Sequence, residues 1–495
     1  MQSAFKLVTG FVLIVSCMAC NATETSGFLD GLSTLAEGWA VDGANSNATC
    51  IVEFYADGSA SSGSFLGQSE TRIARPDVNS ALAISGTHGF SFVVPLSLWD
   101  GNAHTVYAYA KPTTGGRVLL QQCPATFAHA KLVMAYTNVQ ELWIAPQFLS
   151  NEFSKLFYDS NNWDHAKAYT SVLKIADHLL IANEASLSIS NMIQNLHTWN
   201  MSLALESGAV KEWGCTAPVT FAVTKQAIDL VSTNGGSVDY VAMDEPLVQT
   251  QACSYTDSQL LAETVAYANL LKTSYPRLVI GDIEPWPSCR RPRLESWVDG
   301  FLQQAGYKLG FLHLDVDLAS VRSLSPDMSL LSELKDIRDF CANRGIPFGL
   351  IMWQANVQLP VDSNQVFHDN TIYWARLAHS MTPMDCAIVQ SWEEFPDQIV
   401  PDSVASTFTG LVRDYATTVA HIPFPPPKVS ISSQSDLVIL GRTTAKYRIE
   451  YKNALDQTSP WTPLVVIEMA SPTVLWSDPT LPKPNSRFYR VVSGF

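Results

Sequence analysis

Basic residues are what this chain is shortest of. Its 31 lysines and arginines stand against 46 aspartates and glutamates, a formal net charge of −15 at pH 7. A phosphate-backbone partner requires clustered Lys and Arg; the sequence has no basic stripe and no phosphate-cradling glycine loop, which argues against nucleic acid. Long apolar runs are missing beyond the N-terminus, so no later segment offers the ~20 residues of a membrane-spanning helix. There is no Cys-x-x-Cys and no Cys/His cluster to hold zinc, and no cysteine has a His close by that would make it a nucleophile. No metal and no cofactor is therefore expected.

What is present points to an exported, folded, multidomain chain. At 495 residues it is too long for one ordinary core. The first twenty residues, "MQSAFKLVTGFVLIVSCMAC", place one lysine before an apolar run and small residues after it, the form of a short secretory signal. The end of the run fits a lipoprotein box in two registers, "IVSC" with the lipid on Cys17 or "CMAC" with the lipid on Cys20. The expected location is secreted, periplasmic or on the outer surface, with membrane attachment only through that lipid. Export permits disulfides. Beyond the signal lie Cys50, Cys123, Cys215, Cys253, Cys289, Cys341 and Cys386, an odd set, so at least one thiol is unpaired.

Three parts follow the signal. Residues 36–128 carry short alternating runs, "TCIVEFYADG", "HGFSFVVPLSLWDG" and "HTVYAYAK", broken by Asp-Gly and Gly-Gly. Period-two alternation of this kind reads as a small antiparallel β-sandwich, whose aromatics serve as core or as a sugar-binding face. Cys50 in an early strand and Cys123 in the last are expected to join its two sheets. Residues 429–495 repeat the style with "AKYRIEYKN", "TPLVVIEMA" and "RFYRVV", a fibronectin- or immunoglobulin-like β domain after the stiff Pro-rich linker 422–428.

Residues 136–421 behave differently. The apolar runs "ELWIAP", "ADHLLIAN", "MSLALES", "YVAMDEP", "RLVIGDIEP", "LGFLHLDVD", "PFGLIMWQAN" and "CAIVQSWEEFP" alternate with amphipathic stretches such as 257–275 and 330–345. Continuous apolar runs are what parallel strands covered on both faces require. Eight of them alternating with helices give a (β/α)8 barrel of about the usual ~250 residues. A doubly wound open sheet is the alternative, but no dinucleotide-binding glycine fingerprint follows the first strand.

In such a barrel the chemistry sits at the C-terminal ends of the strands. Those ends carry Glu206, then Asp244 and Glu245, then Asp282 and Glu284, then His313, Asp315 and Asp317. The last two carry Trp353, Gln354 and Asn356, and Gln390, Trp392, Glu393 and Glu394. Asp is a common N-cap, which offers Asp244 and Asp317 a structural role. Glu is a poor one, and Glu245 and Glu284 each precede a proline that keeps them extended. Glycoside cleavage needs one carboxylic acid and one carboxylate, and adjacent strands ~4.8 Å apart let Glu245 and Glu284 meet. Asp315 or Glu393 is the alternative second group from across the mouth. Trp213, Trp286, Trp353 and Trp392 are candidate sugar platforms beside these acids. Asp244, Glu206, Asp282, His313, Asp315, Gln354, Asn356 and Glu393 are candidate hydroxyl contacts, and a Cys215–Cys253 disulfide would stiffen the mouth.

The "DEP" of strand four resembles the Asn-Glu-Pro of retaining (β/α)8 glycoside hydrolases. That resemblance implies Glu245 as proton donor and Asp244 in place of the sugar-binding Asn, with a carbohydrate as the partner. It breaks at strand seven, where "LIMWQAN" has no acid for the family's nucleophile. The blocks "AVKEWGC", "AMDEPL" and "GDIEPWP" are also similar to those of uncharacterised secreted bacterial proteins, a likeness that implies no activity. Two other functions compete with glycoside hydrolysis. One is a metal-dependent sugar-processing enzyme using Glu206, Glu245, Asp282, His313 and Asp315. The other is a non-catalytic glycan-binding surface protein.

Overall fold

The structure is a computed structural model that describes residues 24–148, 152–183, 188–210, 214–250, 253–355 and 361–422. Beyond these it describes 428–431, 436–440, 446–454, 460–469, 473–479 and 487–492. The signal with Cys17 and Cys20, Trp213, Asn356 and most of the Pro-rich linker lie outside the described residues. The chain divides into two compact units, one running to Leu132 and taking in Pro326–Met328, the other made of Val133–Ser325 and the residues from Ser329 on. None of the described helices is long and apolar enough to cross a membrane.

The first unit is a sandwich of two antiparallel sheets. One sheet is ordered Ser26–Leu32, Leu35–Val41, Thr87–Val93, Ile73–Ala74. The other is ordered Ser64–Glu70, Ile51–Ala56, Ala103–Lys111, Val118–Leu119, with Ala125–Ala128 also on Ala103–Lys111. It therefore opens about ten residues before the expected position 36. Alternation decides the inner face: Val52, Phe54 and Ala56 are buried, and the Phe54 ring stacks on Phe92 of the opposite sheet at 4.2 Å. Each such ring contributes roughly 1.5–3 kcal/mol by leaving water. The outward side of the same strand carries Tyr55 beside Phe65, and Phe65 is exposed.

The expected Cys50–Cys123 bond is absent; both are free thiols. Cys50 precedes Ile51–Ala56 and Cys123 precedes Ala125–Ala128, two strands on opposite edges of Ala103–Lys111 in one sheet. Two strand spacings of ~4.8 Å separate them, beyond the ~7 Å between Cα atoms that a disulfide tolerates.

The second unit contains a closed eight-stranded parallel barrel. Its strands are β1 Glu141–Ala145, β2 Val172–Ala176, β3 Ser202–Ser207, β4 Tyr240–Asp244, β5 Val279–Trp286, β6 Leu312–Val316, β7 Phe348–Met352 and β8 Cys386–Gln390. β8 pairs back onto β1, Glu141 opposite Cys386. Seven strands fall in the apolar runs read from the sequence. β2 does not: "DHLLIA" in the expected second run is the helix Asp177–Ala182, and the strand is the preceding "VLKIA".

Helices follow their local signals. Asp257–Ser274 opens on a capping box, in which the Thr256 hydroxyl accepts the Gln259 N–H and the Gln259 side chain accepts the Thr256 N–H. Arg291–Ala305 has a proline in its first turn and stops at Gly306, whose φ of 77° suits a residue without a side chain. After the barrel come two three-stranded antiparallel sheets. They are ordered Lys428–Ile431, Leu437–Leu440, Thr473–Trp476 and Thr462–Glu468, Lys446–Lys452, Phe488–Val492. Ile439, Tyr447 and Ile449 are central to the core between them.

Candidate active site

Ring contacts fix which side of each strand faces the barrel interior. Trp143 of β1 meets Tyr240 of β4 at 4.9 Å and His313 of β6 at 5.0 Å. These strands are not neighbours, so the rings can meet only inside the barrel. Side chains alternate along a strand, which puts Asp244 on the inner side with Tyr240, and Asp315 with His313. On β5 the inner side belongs to Gly281 and Ile283: a Cβ on Gly281 would stand 2.3 Å from the Phe311 ring.

The interior therefore closes in layers toward the C-terminal mouth. Below lies the His313 imidazole, fully buried, with Nε2 2.9 Å from Cys386 Sγ and the ring stacked on Phe311. Burial, and then the charge of Lys174, push its pKa well below the usual range, so the ring is neutral. Above it Lys174 of β2 reaches inward and is almost wholly buried. Its ammonium donates to the Glu206 carboxylate of β3 and, at 2.6 Å, to Gln390 Oε1 of β8. Gln390 Nε2 also donates to Glu206 Oε2 at 3.3 Å.

Beside this cluster stands Asp315. Its Oδ1 is sealed from solvent and meets no hydrogen-bond donor among the described residues. Burial raises its pKa well above the ordinary carboxyl range, and the charges of Glu245 and Asp244 raise it further against the opposing pull of Lys174. Burial and the neighbouring carboxylates thus both favour the protonated form of Asp315. At the rim Trp353 packs on Trp392, with ring centroids 4.6 Å apart and Trp392 44% exposed. Gln354 Nε2 donates to Glu393 Oε1 at 3.0 Å.

Glu245 sits where β4 ends, at φ 53°, in the left-handed region rather than in the extended conformation expected ahead of Pro246. The left-handed region costs a residue with a side chain roughly 1–3 kcal/mol and recurs at functional sites. Its N–H donates to the Ile283 carbonyl of β5 at 2.9 Å. The loop beyond is tied at Cys253 to Cys215, in the loop after β3, by the expected disulfide, with Cα atoms 5.6 Å apart.

Several candidates lie elsewhere. Glu284 is fully buried on the outer side of β5: Oε1 accepts the Leu247 N–H at 2.8 Å and Oε2 lies 3.7 Å from Cys289 Sγ. It does not open on the mouth, which corrects its reading as the second catalytic group. Asp282 shares that side, and its Oδ2 accepts the Trp297 indole N–H at 2.7 Å from helix Arg291–Ala305. Burial lifts its pKa to about 8. Trp286, also fully buried, faces the same way. Neither is a sugar contact. His313 belongs to the barrel core beneath the mouth, and Asp317 caps helix Leu318–Leu324 by accepting the Ala319 N–H. The "HLDVD" strand thus gives its polar groups three separate tasks. Among the described residues no cluster of three or more His, Cys, Asp or Glu side chains forms a metal-holding arrangement.

Lys174 was not among the candidates from sequence. Its signal was there: a single lysine inside the apolar "VLKIA" is costly unless a buried partner meets it.

Fold and site together define a (β/α)8 barrel with an acid-lined, tryptophan-rimmed C-terminal mouth. No family model and no curated protein matches the chain. Solved structures similar to it include a glucosidase from Croceicoccus marinus, at 13% identity over 62% of this chain and 76% of that one, TM-score 0.36. A second is AbfB, a family 51 α-L-arabinofuranosidase from Bifidobacterium longum, at 10% identity over 72% and 94%, TM-score 0.32. A third is a 2,3-dimethylmalate lyase of the PEP mutase/isocitrate lyase superfamily, at 10% identity over 51% and 77%, TM-score 0.30. Likenesses this distant say nothing of activity, and the functional reading rests on the site alone.

Proposed function

We propose that this protein is an exported glycoside hydrolase acting on a poly- or oligosaccharide at the barrel mouth. One observation supports the reading: Asp315, on the inner side of β6 with its Oδ1 sealed from solvent, lies within reach of the charges of Glu245 and Asp244, which with burial raise its pKa. Glycoside cleavage asks for this division of labour between two carboxyls. Asp315 donates its proton to the leaving oxygen. Glu245 faces the cation developing at the anomeric carbon, water adds there and its proton restores Asp315, while Asp244 and the Lys174–Glu206–Gln390 cluster take sugar hydroxyls. The exposed Trp392 indole, backed by the buried Trp353, offers an apolar face for a pyranose ring. Export is supported by the N-terminal apolar segment with its small-residue end, and an N-terminal lipid on Cys17 or Cys20 would hold the enzyme at a membrane surface.

The test is a glycan panel run with the wild type, Glu245→Gln and Asp315→Asn. Product from the wild type, with losses of about 10²–10⁴-fold in both variants, is the expected result. Sugar binding by all three proteins with no product from any of them would instead identify a glycan-binding protein.

A further inference from the structure

β5 turns both of its carboxyls away from the lumen, yet one of them reaches the turn that carries Glu245. Glu284 Oε1 accepts the Leu247 N–H at 2.8 Å in a buried bond. Arg293 holds the other side of the same residue, its Nη2 donating to the Leu247 carbonyl at 3.0 Å while it pairs with Asp257. Two residues earlier, Glu245 N–H is fixed to Ile283. Between these fixings Glu245 holds a backbone conformation, φ 53°, that a residue with a side chain keeps only when its surroundings impose it.

We propose that Glu284 is a positioning residue, which from the outer wall of the barrel fixes the Leu247 amide and so locks the Glu245–Pro246 turn with the Glu245 carboxylate aimed into the mouth. The proposal rests on Glu245 being the group that faces the cation in the reaction above. A carboxyl in a dry wall is unfavourable unless its oxygens are used; Oε1 takes the Leu247 N–H, and Oε2 has the weaker Cys289 thiol at 3.7 Å. Burial, with Asp282 adding to it, raises the Glu284 pKa well above the ordinary range. A neutral amide can therefore replace it as acceptor.

The experiment compares the full-length wild type with Glu284→Gln and Glu284→Ala, using Glu284→Met if the alanine variant does not fold. Kinetics are read on whichever glycan the wild type cleaves, and hydrogen exchange is read over residues 240–250. Glu284→Gln should stay within about threefold of wild type in kcat. Removing the acceptor should lower kcat by about 10²-fold at nearly constant KM, since a 1 Å displacement costs that much, and should speed amide exchange in the turn. Equal loss in Glu284→Gln would overturn the proposal, because the carboxyl itself would then be needed. Wild-type kcat in Glu284→Ala with only a lower Tm would also overturn it, leaving a structural role. If the wild type cleaves no glycan, the catalytic reading fails by itself. Exchange still decides the clamp: faster in Glu284→Ala but not in Glu284→Gln supports it, and unchanged exchange in both refutes it.

Discussion

Asp315 is the residue whose proton the rest of the mouth controls. Like charge on Asp244 and Glu245 raises its pKa and the Lys174 ammonium lowers it. In the proposed role of general acid it must be protonated, so its ionisation would set the alkaline limb of the pH–rate profile. Asp244→Asn removes a negative neighbour, and that limb should move to lower pH. Lys174→Met removes the positive one and frees the Glu206 charge, and the limb should move to higher pH. The same lysine variant should lose about 3–5 kcal/mol of stability, the usual cost of orphaning one member of a buried pair. Profiles of kcat/KM for the two variants check the signs, and limbs that stay fixed would dismiss Asp315 as the acid. Sequence alone could name Asp244, Glu245 and Asp315 because they end apolar runs. It could not say that Asp282 and Glu284 point outward, because both faces of a parallel strand are buried and hydrophobicity no longer marks the inner one. The informative residue there is Gly281, whose missing side chain makes room for Phe311 inside.

At the scale of elements, seven strands were legible and one was displaced. The rule that finds a buried parallel strand is an uninterrupted apolar run. β2 breaks it with the buried Lys174, whereas the helix after it, which buries Leu180, keeps it. A charged residue in the barrel interior thus erases the pattern that would have located its strand. The loops after β3 and β4 are joined across 38 residues by Cys215–Cys253. A closure of that length is worth about 3–4 kcal/mol in the chain-entropy picture. Cys215→Ser with Cys253→Ser should lower stability by up to that amount and reduce kcat through a looser Glu245 loop, while Cys50→Ser should leave kcat unchanged. Thermal unfolding and steady-state kinetics on the variants separate the two effects. The Cys50–Cys123 expectation failed for a topological reason: alternation says which residues face inward, but not which strands share a sheet.

Across the whole molecule the outline read from the sequence holds: a β-sandwich, a (β/α)8 barrel and a terminal pair of small sheets. Composition sets the general sign of the surface, at a net −15, but the charge the substrate meets is local. Glu206 neutralises Lys174, and Asp315 carries no charge while protonated. Asp244 and Glu245 add carboxyl groups at the end of β4, and Glu393 accepts from Gln354 at the rim. On the proposed glycosidase reading, an entrance this rich in carboxyl groups would act as a polarity filter. Each negative group that a glycan brings within ~8 Å is opposed by about 0.5–2 kcal/mol, depending on how much water remains between. Uronate-bearing chains should be turned over about 2–30-fold less efficiently than neutral chains of the same linkage, and added salt should narrow the gap. Matched neutral and carboxylated oligosaccharides, compared by kcat/KM at two ionic strengths, measure the filter directly: the acids that would break the bond also select which chains reach it.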